Sequence, residues 1–212
     1  MKDMDSLLAQ VLAFRPNRLV PPFDLQGHIP FVAWLVKELQ PATFVQLGTQ
    51  SGNLYFAACQ TVAENSLPTR CWAVGTWQAE ELAQRHSVQQ EAGASDYNRQ
   101  HFGAFSGLLR MGDAQALPRF APGSIDLLLI DGRYSPETVR NEYESWRDRL
   151  SDHAVVLLVG IEQADSGAAA LWQQLQPQYP HLAFAHAQGL GVLAVGRNVP
   201  KAFQQALQAC AT

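Results

Sequence analysis

The spacing of hydrophobic residues changes after about forty positions of the chain. Up to that point two segments, Ser6–Phe14 and Ile29–Gln40, place their apolar side chains on one face of a helix. Pro30 suits the first turn of the second segment, and Pro41 follows its end. The pattern therefore predicts two helices that precede the first strand.

Short apolar runs then alternate with stretches of helical periodicity. The predicted strands are Thr43–Leu47, Cys71–Val74, Leu108–Met111, Ile125–Ile130, Ala154–Val159, Leu182–Ala185 and Val192–Val195. The predicted helices between and after them are Asn53–Glu64, Gln78–Phe105 with an interruption at Gly93, Pro136–Leu150, Gly167–Gln176 and Ala202–Ala209. This alternation favours a doubly wound, mostly parallel α/β sheet with right-handed crossovers.

The last two predicted strands differ from the others. Too few residues separate Leu182–Ala185 from Val192–Val195 to hold a crossover helix, and Gln188-Gly189 suits a turn between them. We therefore expect an antiparallel hairpin here. The sequence predicts a seven-stranded sheet in which only the last strand is reversed.

The composition is that of a folded domain and excludes several classes of protein. Of the 212 residues, 47% are hydrophobic and 16% are charged. A folded chain of this length buries about 70% of the surface that it exposes when unfolded. The net charge of −4 argues against a nucleic-acid partner. The most apolar helical run, Ile29–Val36, is far shorter than the roughly 20 residues that span a bilayer. We expect a soluble, cytoplasmic protein that binds neither nucleic acid nor membrane.

A glycine-rich turn follows the first predicted strand and marks the candidate ligand site. Gly48 allows the chain to turn sharply, and Gly52 opens a helix whose free N–H groups face a ligand. In open α/β sheets ligands bind at the carboxyl ends of the strands, at the switch point beside the first strand. The spacing G-x-x-x-G, without a glycine at Gln50, argues against the dinucleotide fingerprint of nicotinamide dehydrogenases.

Five sequence blocks, taken in order, are similar to a known family. They are His28–Val62, Cys71–Gln78, Phe105–Ala114, Gly123–Val139 and Gly189–Gly196. Together they resemble the class I S-adenosylmethionine-dependent methyltransferases, most closely small bacterial domains encoded beside or fused to sugar transferases. The resemblance implies a Rossmann-like methyltransferase domain over residues 41–212, with residues 1–40 as a helical extension. Periodicity does not tell whether the N-terminal helices cover the ligand cleft or pack against a second copy in a homodimer.

The resemblance also implies a set of cofactor-binding residues, with two departures from the family pattern. These residues are Gln46, Gly48, Thr49 and Gly52 around the methionine end, Gly75, Thr76 and Trp77 at the ribose, and Asp113 and Ala114 at the adenine. Gln46 is an amide where the family has an acid. Gly75 stands where the family has an acidic residue that grips both ribose hydroxyls, a loss of about 3–4 kcal/mol in binding. Asp113 alternatively caps a helix, and Trp77 alternatively packs in the core.

The catalytic end of the family pattern is reduced here to one acidic residue. Related domains carry a His-x-Asp…His arrangement at the fourth strand and His-Asp after the fifth, of which only Asp131 remains. One carboxylate rarely holds a hard cation, so we expect no catalytic metal. Tyr134 and Glu162 are the other candidates for a general base, unless they are solvated loop residues. His28 either approaches the cleft or is a packed or capping residue.

Two hypotheses about function follow from the residues that are kept and lost. The first is a metal-independent methyltransferase that uses S-adenosylmethionine and acts on a small molecule, such as a sugar or polysaccharide precursor. The second is a degenerate, catalytically inactive protein of the same fold that serves as a binding or scaffold partner. The intact glycine turn favours the first hypothesis, and the clustering of losses on the ligand side favours the second.

Overall fold

The structure is a computed structural model that describes residues 13–49, 51–75, 87–132, 134–199 and 203–204. The predicted helices Ser6–Phe14 and Ala202–Ala209 lie almost entirely outside these residues, as do Thr76 and Trp77. The side chains of residues 87–92 are likewise outside the description.

The described elements alternate between helix and strand in the predicted order. The strands are β1 Thr43–Leu47, β2 Arg70–Gly75, β3 Ser106–Arg110, β4 Ile125–Asp131, β5 Leu150–Val159, β6 His181–Phe184 and β7 Leu190–Ala194. The helices are α1 Ile29–Leu39, α2 Asn53–Glu64, α3 Ser87–His101, α4 Asp113–Ala116, α5 Pro136–Trp146 and α6 Gly167–Leu175. Short 3₁₀ turns cover Gln26–His28, Leu117–Arg119 and Arg147–Arg149.

Within the described residues the strands form one sheet in the order β3-β2-β1-β4-β5-β7-β6. The pairs among β1 to β5 are parallel, whereas β7 runs antiparallel to both β5 and β6. The strand order reverses direction next to β1, which places the ends of β1 and β4 side by side at a switch point. The predicted fold class and the reversed last strand are confirmed.

Alternate residues of each central strand face two separate apolar layers. On one side Phe44 and Leu129 pack with α1, α2 and the C-terminal part of α3. On the other side Val45 and Ile130 pack with α5 and α6. Because β4 and β5 are covered on both faces, their buried runs at residues 127–130 and 154–159 are continuously apolar, as the sequence predicted. α1 is thus part of the same core as α2.

Apart from the start of β5, the predicted strand ends lie within two residues of the observed ones. Larger differences occur in α3, at the end of α5 and at the start of β5. α3 runs through Gly93 without interruption, since one glycine costs a helix only about 1 kcal/mol relative to alanine. The helix predicted to end at Leu150 ends at Trp146, and a 3₁₀ turn leads into β5. β5 begins four residues early because Leu150 pairs with Ile125 before a register shift in β4.

Among the described residues, every helix is too short or too polar to cross a membrane.

Candidate functional site

The turn after β1 has a backbone shape that requires glycine at two positions. Gly48 has φ +73° and Gly52, the N-cap of α2, has φ +74°, a region that other residues enter at a cost of about 1–2 kcal/mol. A Cβ on Gly48 would also lie 2.8 Å from Cβ of Asp131. The turn is closed by hydrogen bonds from Gly48 N to Val74 O (3.0 Å) and from Gly52 N to Thr49 O (2.8 Å). The predicted roles of both glycines in shaping the turn agree with this geometry.

This turn forms one wall of a shallow cleft that is open to solvent and has an internal volume of only about 10 Å³. The residues that line it come from the segment before α1, from the glycine turn with the start of α2, and from the ends of β1, β4 and β5. They are Pro22, Asp24, Leu25, Gln46, Gly48, Thr49, Ser51, Asn53, Leu54, Leu129, Asp131 and Val159.

Two buried polar atoms in the cleft wall have no hydrogen-bond partner among the described residues. They are Oε1 of Gln46 and Oγ1 of Thr49. Each of these residues is only 4% exposed. Nε2 of Gln46 donates a long hydrogen bond (3.4 Å) to the Gly48 carbonyl, which turns the amide toward the glycine turn. A buried polar atom without a partner costs about 1–3 kcal/mol, so these atoms fit a ligand that brings hydrogen-bond donors.

Asp131 lies in the same cleft, at the carboxyl end of β4. It is 3% exposed, and its Cβ lies next to Gly48. Residues two apart on a strand share a face, so Asp131 follows Leu129 on the side of the sheet that α2 covers. The structure thus brings the predicted catalytic residue Asp131 together with the predicted cofactor residues Gln46, Gly48 and Thr49.

Residues 15–25, here called the N-terminal strap, run along α2 and supply part of the cleft wall. Asn53 holds the strap through Oδ1, which accepts from Val20 N (3.1 Å), and through Nδ2, which donates to Val20 O (2.7 Å). Nη1 of Arg18 donates to Ser51 O (2.7 Å), within the glycine turn, and its guanidinium lies over the Phe56 ring. These contacts join the strap to the turn that the sequence predicted as the ligand site.

The strap's contribution was missed by sequence reasoning, although one pattern pointed to it. Asn53 and Gln60 are polar residues of α2, seven positions apart, and both are buried. Gln60 accepts from Asn17 N (2.7 Å) and donates to Arg15 O (2.9 Å). Buried amides need partners, so two of them on one helix face indicate a chain segment packed across that face.

No described residue fills the space beside Gly75, at the end of β2. A Cβ added to Gly75 would meet no described atom within 4 Å, and its φ is not positive. Gly75 pairs in register with Arg110 and forms a bridge to Met111, which places it beside the start of α4. Thr76 and Trp77 lie outside the described residues, so their predicted roles stay predictions.

Asp113 begins α4, and its carboxyl group interacts with Glu142 of α5. The helix cap is Gly112, so the alternative of Asp113 as N-cap is wrong. Burial raises the pKa of Asp113. Burial, then the charge of Asp113 and a hydrogen bond to it, raise the pKa of Glu142 to about 8, with a further contribution from Asp131. The two carboxyl groups therefore hold a shared proton at neutral pH, and Ala114 lies exposed beside them.

The other two candidate catalytic residues do not line the described cleft. Tyr134 is 44% exposed, and Glu162 is also exposed. The backbone N–H of Glu162 donates to Gln188 O (3.1 Å), which places it at the turn between β6 and β7. Their catalytic roles stay predictions. Gly132, which follows Asp131 in the chain, leaves no room for a side chain, since a Cβ there would lie 2.6 Å from Val159 O and still closer to Ala168.

His28 is a packed residue in the structure. It is 1% exposed, and its Nε2 lies 3.1 Å from Ala187 O. Burial, together with nearby His186, lowers its pKa to about 4, so the ring is neutral at physiological pH. In the described part of the chain, no three His, Cys, Asp or Glu side chains are grouped as metal ligands. The expectation of a metal-independent reaction stays a prediction.

Comparison of the sequence with models of known protein families gives a match over more than half of the chain. A family model described as "Methyltransferase domain" matches residues 45–158. A curated relative, protein y4gI of Sinorhizobium fredii (strain NBRC 101917 / NGR234), is 36% identical over 197 residues, which is 92% of this chain. The chain spans only 22% of that relative's length.

Solved structures with a similar fold include three proteins that share 18% or less of the sequence. The cofactor-bound protein Rv0187 from MTB has a TM-score of 0.57 and 18% identity, with 93% of this chain and 91% of that chain covered. The SAH-bound methyltransferase PaMTH1 of Podospora anserina has a TM-score of 0.58 and 12% identity (91% and 94% covered). A methyltransferase from Geobacter sulfurreducens has a TM-score of 0.56 and 12% identity (91% and 95% covered).

Proposed function

The chain belongs to the methyltransferase-domain family, and from that premise we propose that it is an S-adenosylmethionine-dependent methyltransferase that acts on a small-molecule acceptor. The observation that carries the proposal is the cleft at the glycine turn. There Gln46 and Thr49 present buried acceptor atoms beside a backbone turn that favours glycine at Gly48.

The residues of the cleft fit the amino-acid end of the cofactor. Gly48, Thr49 and Gly52 give the turn its shape, and the unpartnered oxygens of Gln46 and Thr49 can accept hydrogen bonds from an ammonium group. At the other end, the described residues leave space beside Gly75 for a ribose, and none of them places a carboxylate within 4 Å of a Cβ there. S-adenosylmethionine, when bound, supplies a sulfonium methyl group whose in-line transfer depends mainly on the position of the acceptor.

We assign acceptor orientation and proton removal to Asp131. Its carboxylate ends β4 inside the cleft, where it is shielded from bulk water. A general base must lie within hydrogen-bond reach of the proton it removes, and Asp131 is the candidate that the cleft contains. Tyr134 and Glu162, farther out on the same edge, are proposed to contact the acceptor rather than the methionine end.

The finer features of the proposal rest on the sequence alone. They are a sugar or polysaccharide precursor as acceptor, a reaction without a metal, a cytoplasmic location and a homodimer. The chain matches only about a fifth of y4gI, so the activity of a longer protein is not transferred to it.

A second candidate function is a binding or scaffold role without catalysis. The specific observation in its favour is Gly75, because the structure has room for an acidic side chain there but the sequence lacks it. The loss of two charge-assisted hydrogen bonds to the ribose weakens binding by up to several hundredfold.

Calorimetric titration of the full chain with S-adenosylhomocysteine and S-adenosylmethionine tests the proposal. We expect binding at one site, with a dissociation constant below a millimolar, and a thermal stabilisation of about 2.7 kcal/mol at 100 times that concentration. Absence of binding at millimolar cofactor would favour the scaffold role.

Transfer of a labelled methyl group from S-adenosylmethionine to a panel of sugars and other hydroxyl compounds then separates an enzyme from a binding protein. Asp131→Asn is the matched variant. It should retain cofactor binding and lose most of the transfer, whereas transfer that is unchanged in this variant would remove Asp131 from the mechanism.

A further inference from the structure

The cleft contains two carboxyl groups from different parts of the chain. Asp131 comes from the end of β4, and Asp24 comes from the N-terminal strap. The described lining residues include neither lysine nor arginine. Oε1 of Gln46 is an acceptor and Oγ1 of Thr49 is a hydroxyl oxygen, and both lack a hydrogen-bond partner among the described residues. This set of groups favours a cation with several N–H donors.

Asp24 is available for such a ligand. It is exposed at the mouth of the cleft and makes no hydrogen bond or ion pair with any described residue. Its position is nevertheless fixed, because Asn53 holds the strap on one side of it through Nδ2, which donates to Pro22 O (3.3 Å) and to Val20 O. On the other side Leu25 packs against the core. The strap thus presents, from a restrained backbone, a carboxylate that has no partner among the described residues.

We propose that Asp24 binds the ammonium group of the cofactor's amino-acid end and thereby supplies from the strap the negative charge that the amide of Gln46 lacks. This inference rests on the proposed function, since it names a contact to the same cofactor. Asp24 supplies the charge that pairs with the ammonium, while Gln46 and Thr49 accept its remaining hydrogens. The backbone N–H groups at the amino end of α2, which carry partial positive charge, would hold the ligand's carboxylate.

The test compares ligands that differ in the amino-acid end. S-adenosylhomocysteine and S-adenosylmethionine carry the ammonium, whereas 5′-methylthioadenosine has the adenosine and the thioether but no amino acid. In calorimetric titrations at low salt, Asp24→Asn should weaken binding of the first two ligands by roughly tenfold to a hundredfold. Binding of methylthioadenosine should change by less than about twofold, and it reports at the same time that the variant is folded.

Asp148→Asn is the matched control for net charge. Asp148 is exposed in the 3₁₀ turn before β5, at the opposite edge of the sheet, so this variant should bind all three ligands like the wild type. Equal losses for S-adenosylmethionine and S-adenosylhomocysteine identify the ammonium as the partner of Asp24, because only the former also carries a sulfonium.

Three results would overturn the inference while the proposed function stands. They are unchanged binding in Asp24→Asn, a loss confined to S-adenosylmethionine, and wild-type binding of methylthioadenosine as tight as that of S-adenosylhomocysteine. If the wild type binds none of the three ligands, the proposed function fails and this inference fails with it.

Discussion

Gly48 and Gly75 end adjacent parallel strands at the same edge of the sheet, yet the structure needs only one of them to be glycine. At Gly48 the backbone has φ +73°, and a Cβ would lie 2.8 Å from Asp131. At Gly75 the φ is not positive, and a Cβ would meet no described atom within 4 Å. The backbone therefore strongly favours glycine after β1, whereas the described residues leave room for a side chain at the end of β2.

The difference separates two halves of the ligand edge. The half beside Gly48 is bounded by the glycine turn, Asp131 and the N-terminal strap. Its buried hydrogen-bond acceptors fit a ligand. No described residue fills the half beside Gly75, and Asp113 at the start of α4 shares a proton with Glu142. A departure from a family pattern at Gly75 should thus change ligand affinity and leave the fold intact.

Alanine at each glycine gives the largest expected contrast. Gly48→Ala should lower the free energy of unfolding by about 2–4 kcal/mol, because it combines an unfavourable backbone conformation with an overlap against Asp131. Gly75→Ala, the matched control, should change it by less than about 0.5 kcal/mol. Urea unfolding of both variants measures the difference, and equal losses would contradict the contrast between the two strand ends.

Gly75→Asp sharpens the comparison from the side of the ligand. A carboxylate in the open space should accept from the ribose hydroxyls and tighten S-adenosylhomocysteine binding by about tenfold to a hundredfold. Gly75→Asn is the control for side-chain size, and it should give a much smaller gain. If the titration shows no gain with aspartate, the ribose does not lie beside Gly75.

The smallest expected effect on stability comes from the proton that Asp113 and Glu142 share, on the side of Gly75. The pKa of Glu142 is raised from 4.5 to about 8, so this group favours the folded state below its unfolded pKa. That contribution is lost as the pH rises through 8. Glutamine does not titrate. The free energy of unfolding of Glu142→Gln, measured relative to that of the wild type, should therefore rise by about 1 kcal/mol from pH 5 to pH 8, after discounting for partial solvent screening.

Glu144→Gln on the same helix provides the control for the pH effect. Glu144 is exposed, with Arg147 at 3.3 Å as its partner, so the difference between this variant and the wild type should stay nearly constant over the same range. The free energy of unfolding at pH 5 and pH 8 measures both variants. A Glu142→Gln difference that does not grow with pH would show that Glu142 is ionised throughout.

Much of the fold could be predicted from local patterns. The bounds of β1 and α2 agree with the prediction, because a buried run that meets a glycine turn is marked by composition alone. Gly93 misled the prediction because tertiary packing tolerates the cost of one glycine in a helix. The bounds of β5 depended on the pairing of Leu150 with Ile125, which is a long-range contact without a local pattern.

The site could be predicted only where it belongs to the glycine turn. Gln46, Gly48, Thr49 and Asp131 follow strand ends and meet in the cleft as the topology requires. The strap and Glu142 were missed because their contacts join segments far apart in sequence, such as Val20 with Asn53 and Asp113 with Glu142. Only buried polar residues on α2 hinted at the strap.

The central claim is that the glycine turn and the N-terminal strap together enclose one end of the cofactor. Hydrogen–deuterium exchange of the full chain, measured with and without S-adenosylhomocysteine, tests it most directly. We predict slower exchange in peptides that cover residues 15–25 and 43–56, and no change in residues 147–152 at the opposite edge of the sheet. Binding that slows exchange at the opposite edge, or that leaves both the strap and the turn unchanged, would contradict the account.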